Sequence, residues 1–193
     1  MFDKLDTKKT SELYLLRQGW ISPRYELTDK VNTYGKITYR RSPMHKATAV
    51  TAANVWIFQR GSFFTRSILI NDQNGVAIGT AITEWFSRRT KLTLESGFSA
   101  EFYRPLFFSF DHIWESEGYG KIVQIKGRAF GPTKSIYIDQ SNTPVNLIPL
   151  LIFLGAYLVI LRKRRQVAMV GNLLAIFGGS FRAVPIVNAG PYQ

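Results

Sequence analysis

The chain has 193 residues, with 25 Lys and Arg against 13 Asp and Glu, so its formal net charge is +12. This length suits one domain with a real core, and a hydrophobic fraction of 46% excludes a wholly disordered protein. The lack of cysteine excludes disulfides, thiolate metal sites and cysteine nucleophiles, and two histidines are too few for a histidine-rich metal centre. We therefore expect neither a metal nor another cofactor.

Residues 1–11 are polar and mixed in sign, and they lack the apolar stretch that a secretory signal needs. We predict a polar N-terminal arm over these residues. The default location of the protein is then the cytoplasm, where it can also lie peripherally on a membrane.

Residues 12–139 show the sequence pattern of an all-β domain, in which turn-forming residues separate runs rich in β-branched and aromatic residues. Strict alternation over 91–95 and 135–139 indicates strands with one face in the core and one in water. The predicted strands are 12–18, 24–29, 35–41, 46–51, 53–59, 64–71, 75–83, 90–95, 97–104, 106–114, 120–128 and 134–139.

Three predicted hairpins, at 25–37, 68–79 and 113–123, share a layout in which an acidic residue precedes a glycine. Asn74-Gly75 in the second tolerates positive φ, which suits a tight turn. Such loops can also hold calcium, but these lack the dense oxygen ligands of an EF-hand. Ordinary hairpin turns are favoured.

Residues 145–161 form the most apolar stretch of the chain, and two explanations compete for it. Pro149 suits the first turn of a helix, which leaves twelve uninterrupted apolar residues at Leu150–Leu161. Twelve residues span about 18 Å, which is short for the ~30 Å hydrocarbon core of a membrane. A span would also place the preceding residues outside the cell, because basic flanks stay in the cytoplasm. We favour a helix enclosed by a closed β-barrel; a single-pass protein with 147–161 in the bilayer is the alternative.

The predicted architecture is therefore all-β with a C-terminal helix, in which the barrel domain covers 12–166 and the helix covers about 147–165. No role is assigned to the tail at 167–193. Seven helix side chains are expected to fill the barrel: Leu150, Leu151, Phe153, Leu154, Tyr157, Leu158 and Leu161.

The order of these elements over about residues 12–166 resembles the tubby-like superfamily, which includes the tubby C-terminal domain, phospholipid scramblases and plant LURP-one-related proteins. The resemblance rests on the 25–37 hairpin, the Trp56-Ile57-Phe58 strand, the 68–79 unit, Trp114 with Gly120-Lys121-Ile122, and the terminal apolar helix. It implies a closed antiparallel barrel of about twelve strands around a hydrophobic helix, and association with membrane lipid. The chain lacks the Pro-rich region and lipidation cysteines of scramblase-like proteins, and no phosphoinositide-binding residue is carried over.

A basic run, Arg162, Lys163, Arg164 and Arg165, follows the apolar stretch directly. Each cation contributes about 1 kcal/mol near an anionic leaflet, so the run is a candidate contact for a lipid headgroup or another anion. The same residues also suit a helix C-terminus, where cations are stabilised by the helix dipole. The expected partners are anionic membrane lipid or a protein.

The sequence contains no catalytic motif. The densest polar group with a histidine is Asp111, His112, Glu115 and Glu117. Strand alternation separates His112 from Asp111 and Glu115, so we predict a non-enzymatic protein, with an enzyme site in a barrel mouth as a further alternative. Residues 56–66 interleave aromatic rings with arginines, as in single-strand nucleic-acid binding, but a core strand followed by an exposed turn is favoured. Nucleic acid is not an expected partner.

Overall fold

The computed structural model describes residues 2–7, 10, 12–19, 24–40, 46–61, 66–84, 89–106, 109–127, 133–139 and 145–162. The strands are β1 Glu12–Gln18, β2 Arg24–Thr28, β3 Thr33–Tyr39, β4 Ala47–Thr51, β5 Val55–Arg60, β6 Ser67–Asn71, β7 Ala77–Thr83, β8 Thr90–Leu94, β9 Ser99–Tyr103, β10 His112–Ser116, β11 Gly120–Gly127 and β12 Thr133–Ile138. A 3-10 turn at Val145–Leu147 leads into helix α1, which is described over 148–162.

The chain divides into two compact units, Met1–Tyr157 and Leu158–Gln193. The first contains all twelve described strands and α1 as far as Tyr157. Of the second, the structure describes only the helical residues 158–162.

The twelve strands form one closed antiparallel barrel in which each pairs with its sequence neighbours and β12 pairs with β1. Leu13 faces Ile136 across the closing pair, and Leu15 faces Leu27 across the next. Closure leaves no sheet edge with unpaired backbone groups. The predicted fold class, a twelve-stranded closed antiparallel barrel with a C-terminal helix, is confirmed.

Alternation along each strand fills the barrel interior with apolar side chains. In β8, Leu92 and Leu94 are buried whereas Lys91 and Thr93 are exposed. Every strand contributes at least one side chain with no exposed surface: Leu13, Leu27, Ile37, Ala49, Phe58, Ile70, Ala81, Leu92, Phe102, Trp114, Ile125 and Ile136. The period-2 pattern in the sequence thus specifies which face of each strand points inward.

Eleven of the twelve strand predictions match the observed strands within three residues at each end. The tenth, predicted at 106–114, is wrong, because β10 is His112–Ser116. Leu106, at the start of the predicted strand, lies in the connection before β10, where it is 71% exposed and its carbonyl accepts a hydrogen bond from the Ser109 amide at 3.1 Å. Residues 107 and 108 lie outside the described residues. Pro105, which disfavours a continuing strand, precedes Leu106.

The part of helix α1 that belongs to the first unit, 148–157, lies inside the barrel, because its residues approach strands on opposite sides of the ring. Phe153 Cζ lies 3.1 Å from the position of a Cβ built on Gly35 in β3. A Cβ built on Gly155 would lie 2.9 Å from Trp114 Nε1 in β10 and 3.2 Å from Phe102 in β9. Strands β3 and β9 are six places apart in the ring of twelve, so the helix runs between opposite walls.

The seven side chains predicted to fill the barrel are all buried. Tyr157, the last of them within the first unit, stacks on Tyr39 at 6.0 Å between ring centroids and on Phe58 at 5.7 Å. Among the described residues, one helix, Val145–Arg162, is long and apolar enough to cross a membrane, and 72% of it is buried. The exposed fractions of the seven are Leu150 2%, Leu151 0%, Phe153 0%, Leu154 0%, Tyr157 1%, Leu158 2% and Leu161 8%.

Gly155→Ala tests this packing. The added methyl would overlap Ile125 Cδ1 at 2.7 Å and Trp114 Nε1 at 2.9 Å. Overpacking of this kind costs about 1–3 kcal/mol, against a gain of about 1 kcal/mol in helix propensity. We expect a net loss of stability, measured as a lower denaturant midpoint. Gly118→Ala, where a Cβ meets nothing within 4 Å, is the matched control and should be neutral; equal stability of both variants would contradict the enclosed helix.

Candidate functional site

The two ends of the barrel carry different connections. Neighbouring strands run antiparallel all around the ring, so the six connections that follow odd-numbered strands share one end. We name this the basic end; its connections are 19–23, 40–46, 61–66, 84–89, 104–111 and 128–132. The five that follow even-numbered strands form the acidic end; its connections are 29–32, 52–54, 72–76, 95–98 and 117–119.

Charge is segregated between these two sets of connections. Among the described residues, the connections of the basic end carry five basic residues, Arg40, Lys46, Arg66, Arg89 and Arg104, against the two acids Glu84 and Asp111. The acidic end has one basic residue, Lys30, against the four acids Asp29, Asp72, Glu95 and Glu117. A molecule with such opposite ends orients in the field of a charged surface.

Backbone hydrogen bonds fix several of the described cations at the rim of the basic end. The Arg40 amide donates to the Lys46 carbonyl at 3.0 Å, and the Glu84 amide donates to the Arg89 carbonyl at 2.9 Å. These bonds extend the β3–β4 and β7–β8 ladders by one step beyond the strands. Arg40 is exposed at the barrel mouth. Arg89 is also exposed, but its guanidinium forms an ion pair with Glu101 in β9 at 2.7 Å.

The β9–β10 connection at this end is held by His112, which is 2% exposed. Arg104 Nε, at the start of the connection, donates to His112 Nε2 at 3.4 Å. Because Nε2 accepts, the ring proton lies on Nδ1, which donates to the Phe110 carbonyl at 3.1 Å. The imidazole also stacks on Phe102 at 5.2 Å between centroids. One buried ring therefore anchors both ends of the connection.

The side chains of Leu106 and Phe110 in this connection are exposed to solvent, with exposed fractions of 71% and 50%. The Asp111 amide donates to Ser109 Oγ at 2.9 Å, which helps turn the chain back towards β10. The sequence interpretation assigned this segment to a strand and so missed both side chains. Pro105, directly after Arg104, was the signal that the strand had ended.

The predicted anion-contact run falls at the limit of the described chain. Arg162 is partly exposed at the end of the described part of α1. Lys163, Arg164 and Arg165 lie outside the described residues. Their contact with lipid or another anion stays a prediction.

The polar group around His112 is divided by the barrel wall, as strand alternation predicted. His112 and Trp114 are buried, whereas Glu115 is exposed on the outer face. There Glu115 accepts a hydrogen bond from the Tyr103 hydroxyl at 2.6 Å, which raises the pKa of Tyr103. Among the residues that the structure describes, no group of three or more His, Asp or Glu side chains could hold a metal ion. His45 lies outside the described residues.

The aromatic residues considered for nucleic-acid stacking include two that belong to the core. Trp56 is 6% exposed and Phe58 is fully buried. The favoured interpretation of this segment as a core strand is confirmed for these two rings, which cannot stack on bases. Phe63 and Phe64 lie outside the described residues.

Two carboxylates of the acidic end stabilise hairpin turns. Asp29 Oδ1 accepts the amides of Asn32 at 2.7 Å and Val31 at 2.9 Å, and Oδ2 accepts the Tyr34 hydroxyl at 2.5 Å. The Asn32 bond, followed by the Tyr34 bond, holds the pKa of Asp29 well below its usual range. Asp72 caps the β6–β7 turn through the Val76 amide at 2.9 Å. The predicted hairpins at β2–β3, β6–β7 and β10–β11 are confirmed.

The role of Asp29 predicts a specific pH dependence. A carboxyl whose pKa is depressed by folding contributes stability above its ordinary pKa of 3.8 and loses that contribution as the pH falls towards the folded value. Asp29→Asn should therefore be less stable than wild type at neutral pH, and the difference should shrink below pH 3.8 in urea unfolding. The control is Glu117→Gln, which removes one charge from an exposed turn at the same end of the barrel. A difference that persists unchanged in acid would contradict this role.

Comparisons of the chain with protein-family models, curated proteins and solved structures give no match. No family is therefore shown for this chain. The resemblance to the tubby-like superfamily remains a hypothesis based on the order of the elements.

Proposed function

We propose that this protein is a non-enzymatic, tubby-like barrel module that associates with anionic membrane lipid through its basic end. The observation that carries the proposal is the segregation of charge between the two barrel ends. Each Lys or Arg near an anionic leaflet contributes about 1 kcal/mol of attraction, and the acidic end is repelled. The barrel would then lie with its basic end towards the membrane.

The course of α1 is consistent with this orientation. Phe153 lies beside Gly35 in β3, and four residues later Tyr157 lies beside Tyr39, four residues further along the same strand. Over these residues the helix runs towards the basic end, because β3 ends there. The run Arg162–Arg165 follows in sequence, and we include its four cations in the proposed lipid contact.

The proposal makes the protein peripheral to the membrane, because strands surround the apolar helix. The alternative is a single-pass protein with 147–161 in the bilayer. Extraction of membranes with alkaline carbonate separates the two: a peripheral protein leaves the pellet, and a single-pass protein stays in it.

Neutralising the rim tests the electrostatic contact. We expect the triple variant Arg40→Gln, Lys46→Gln and Arg66→Gln to bind vesicles of phosphatidylcholine and phosphatidylserine on the order of 100-fold more weakly than wild type at low salt. This follows from about 1 kcal/mol for each lost cation, with tenfold in affinity for every 1.4 kcal/mol. The measurement is co-sedimentation with vesicles of increasing phosphatidylserine content.

The matched control removes three exposed cations elsewhere, with Lys30→Gln, Lys91→Gln and Lys121→Gln. It leaves the net charge equal to that of the rim variant, so it should retain nearly wild-type binding. Equal losses in both triple variants would show that net charge alone acts. Binding that ignores both salt and phosphatidylserine content would contradict the proposed function.

A further inference from the structure

We infer that Leu106 and Phe110 form an insertion tip that enters the interfacial region of the bilayer when the basic end contacts it. This inference rests on the function proposed above and specifies how that contact is made. Among the described residues of the basic-end connections, these two are the most exposed large apolar side chains, at 71% and 50%.

Two described residues of the tip's connection, Arg104 and Phe110, are held by contacts with His112. His112 holds Arg104 on one side and the Phe110 carbonyl on the other, and its ring is buried against Phe102. Arg104 and Phe110 are thus attached to the barrel wall, while the side chains of Leu106 and Phe110 are exposed. Because both side chains stay exposed, they bury little apolar surface on folding and can still be removed from water by contact with a second apolar phase.

The surroundings of the tip favour lipid over a protein partner. Its connection begins after β9 at Arg104, and Arg40, Lys46 and Arg66 lie in other connections of the same end. Apolar side chains at a barrel end whose described connections carry more cations than acids match a leaflet, whose anionic headgroups lie outside an acyl layer. A protruding tip partitions into a fluid layer without any complementary pocket, whereas a protein partner would have to supply one. A cavity of about 700 Å³ lies at the opposite, acidic end, where Gly97 and Tyr119 are among its lining residues, so it is not part of the surface around the tip.

The insertion tip adds a hydrophobic contribution to the free energy of membrane binding, and salt does not screen this contribution. Removing one Leu or Phe side chain from water changes a partition constant on the order of 10- to 100-fold. The rim cations, in contrast, lose their attraction as the ionic strength rises. Wild-type protein should therefore keep part of its vesicle binding at high salt, and this part should depend on Leu106 and Phe110.

The test compares two double variants. The tip variant carries Leu106→Ser and Phe110→Ser, and the matched control carries Val31→Ser and Val76→Ser. The control pair is similarly exposed, at 87% and 58%, but lies in two hairpins of the acidic end. Vesicles contain two parts phosphatidylcholine to one part phosphatidylserine. We expect the tip variant to bind at least tenfold more weakly at low salt and to lose binding at high salt, with the control unchanged. All four positions are exposed, so thermal unfolding should be unaltered.

A second measurement uses the absence of cysteine from the chain. A single cysteine at position 106 or 31, made as Leu106→Cys or Val31→Cys, can carry an environment-sensitive fluorophore. Emission at position 106 should shift to the blue when the same vesicles are added, and emission at position 31 should not.

The outcomes separate the inference from the function on which it rests. Failure of the wild-type protein to bind these vesicles overturns both. Vesicle binding that is unchanged in the tip variant, with no spectral shift at position 106, overturns the insertion tip and leaves the electrostatic contact standing. A loss of binding in the Val31 and Val76 pair as large as in the tip variant contradicts the assignment to the basic end.

Discussion

The apolar side chains of α1 need apolar surroundings, and the arrangement of the barrel follows from this need. From Leu150 to Leu161 every residue is buried, so the helix has no polar face to turn towards water. A ring of about eight strands is filled by its own side chains, whereas twelve leave room for a helix about 10 Å wide. Small inward residues such as Ala49, Ala81 and Ala100 increase that room, and Gly35 and Gly155 mark where helix and wall approach most closely.

Enclosing the helix also determines which parts of the molecule are available for binding. The strands have no free edge, and their inner faces are occupied, which leaves the outer wall and the two ends. At the acidic end, Asp29 and Asp72 are engaged in turning the chain between strands. At the basic end, Arg40 is exposed, and Leu106 and Phe110 add exposed apolar surface. Exposed apolar side chains occur at both ends, as Val31 and Val76 at the acidic end show, so the excess of cations is what distinguishes the basic end.

Much of the barrel could be predicted from the sequence because alternation and turn chemistry are local signals. In β8, Leu92 and Leu94 are buried and the residues between and before them are exposed, as the alternation in the sequence predicts. The β6–β7 turn lies at Asn74-Gly75, where the sequence predicts a tight turn. The position of the helix inside the barrel could be predicted because its uninterrupted apolar stretch is short for a membrane span and a basic run follows it. The tenth strand was wrong because hydrophobicity alone does not distinguish a buried strand from an exposed apolar connection such as the one at Leu106.

The candidate site was harder to predict because it depends on which residues the strand topology brings together at one end of the barrel. Arg40, Arg66 and Arg89 are far apart in sequence, and only the alternating direction of twelve strands places them at one end. The predicted run Arg162–Arg165 was visible as a local cluster of charge. The anchoring role of His112 depends on side-chain contacts with Arg104 and the Phe110 carbonyl, for which the sequence carries no pattern.

Hydrogen exchange of the full chain in detergent-free buffer tests the enclosed helix most directly. Amides that open only when the whole fold opens exchange at the rate set by global unfolding. The account predicts that the amides of 151–157 exchange as slowly as those of the central strands, with no detergent needed to keep the chain monomeric. Rapid exchange over 151–157, or a chain that stays soluble only in detergent, would contradict it.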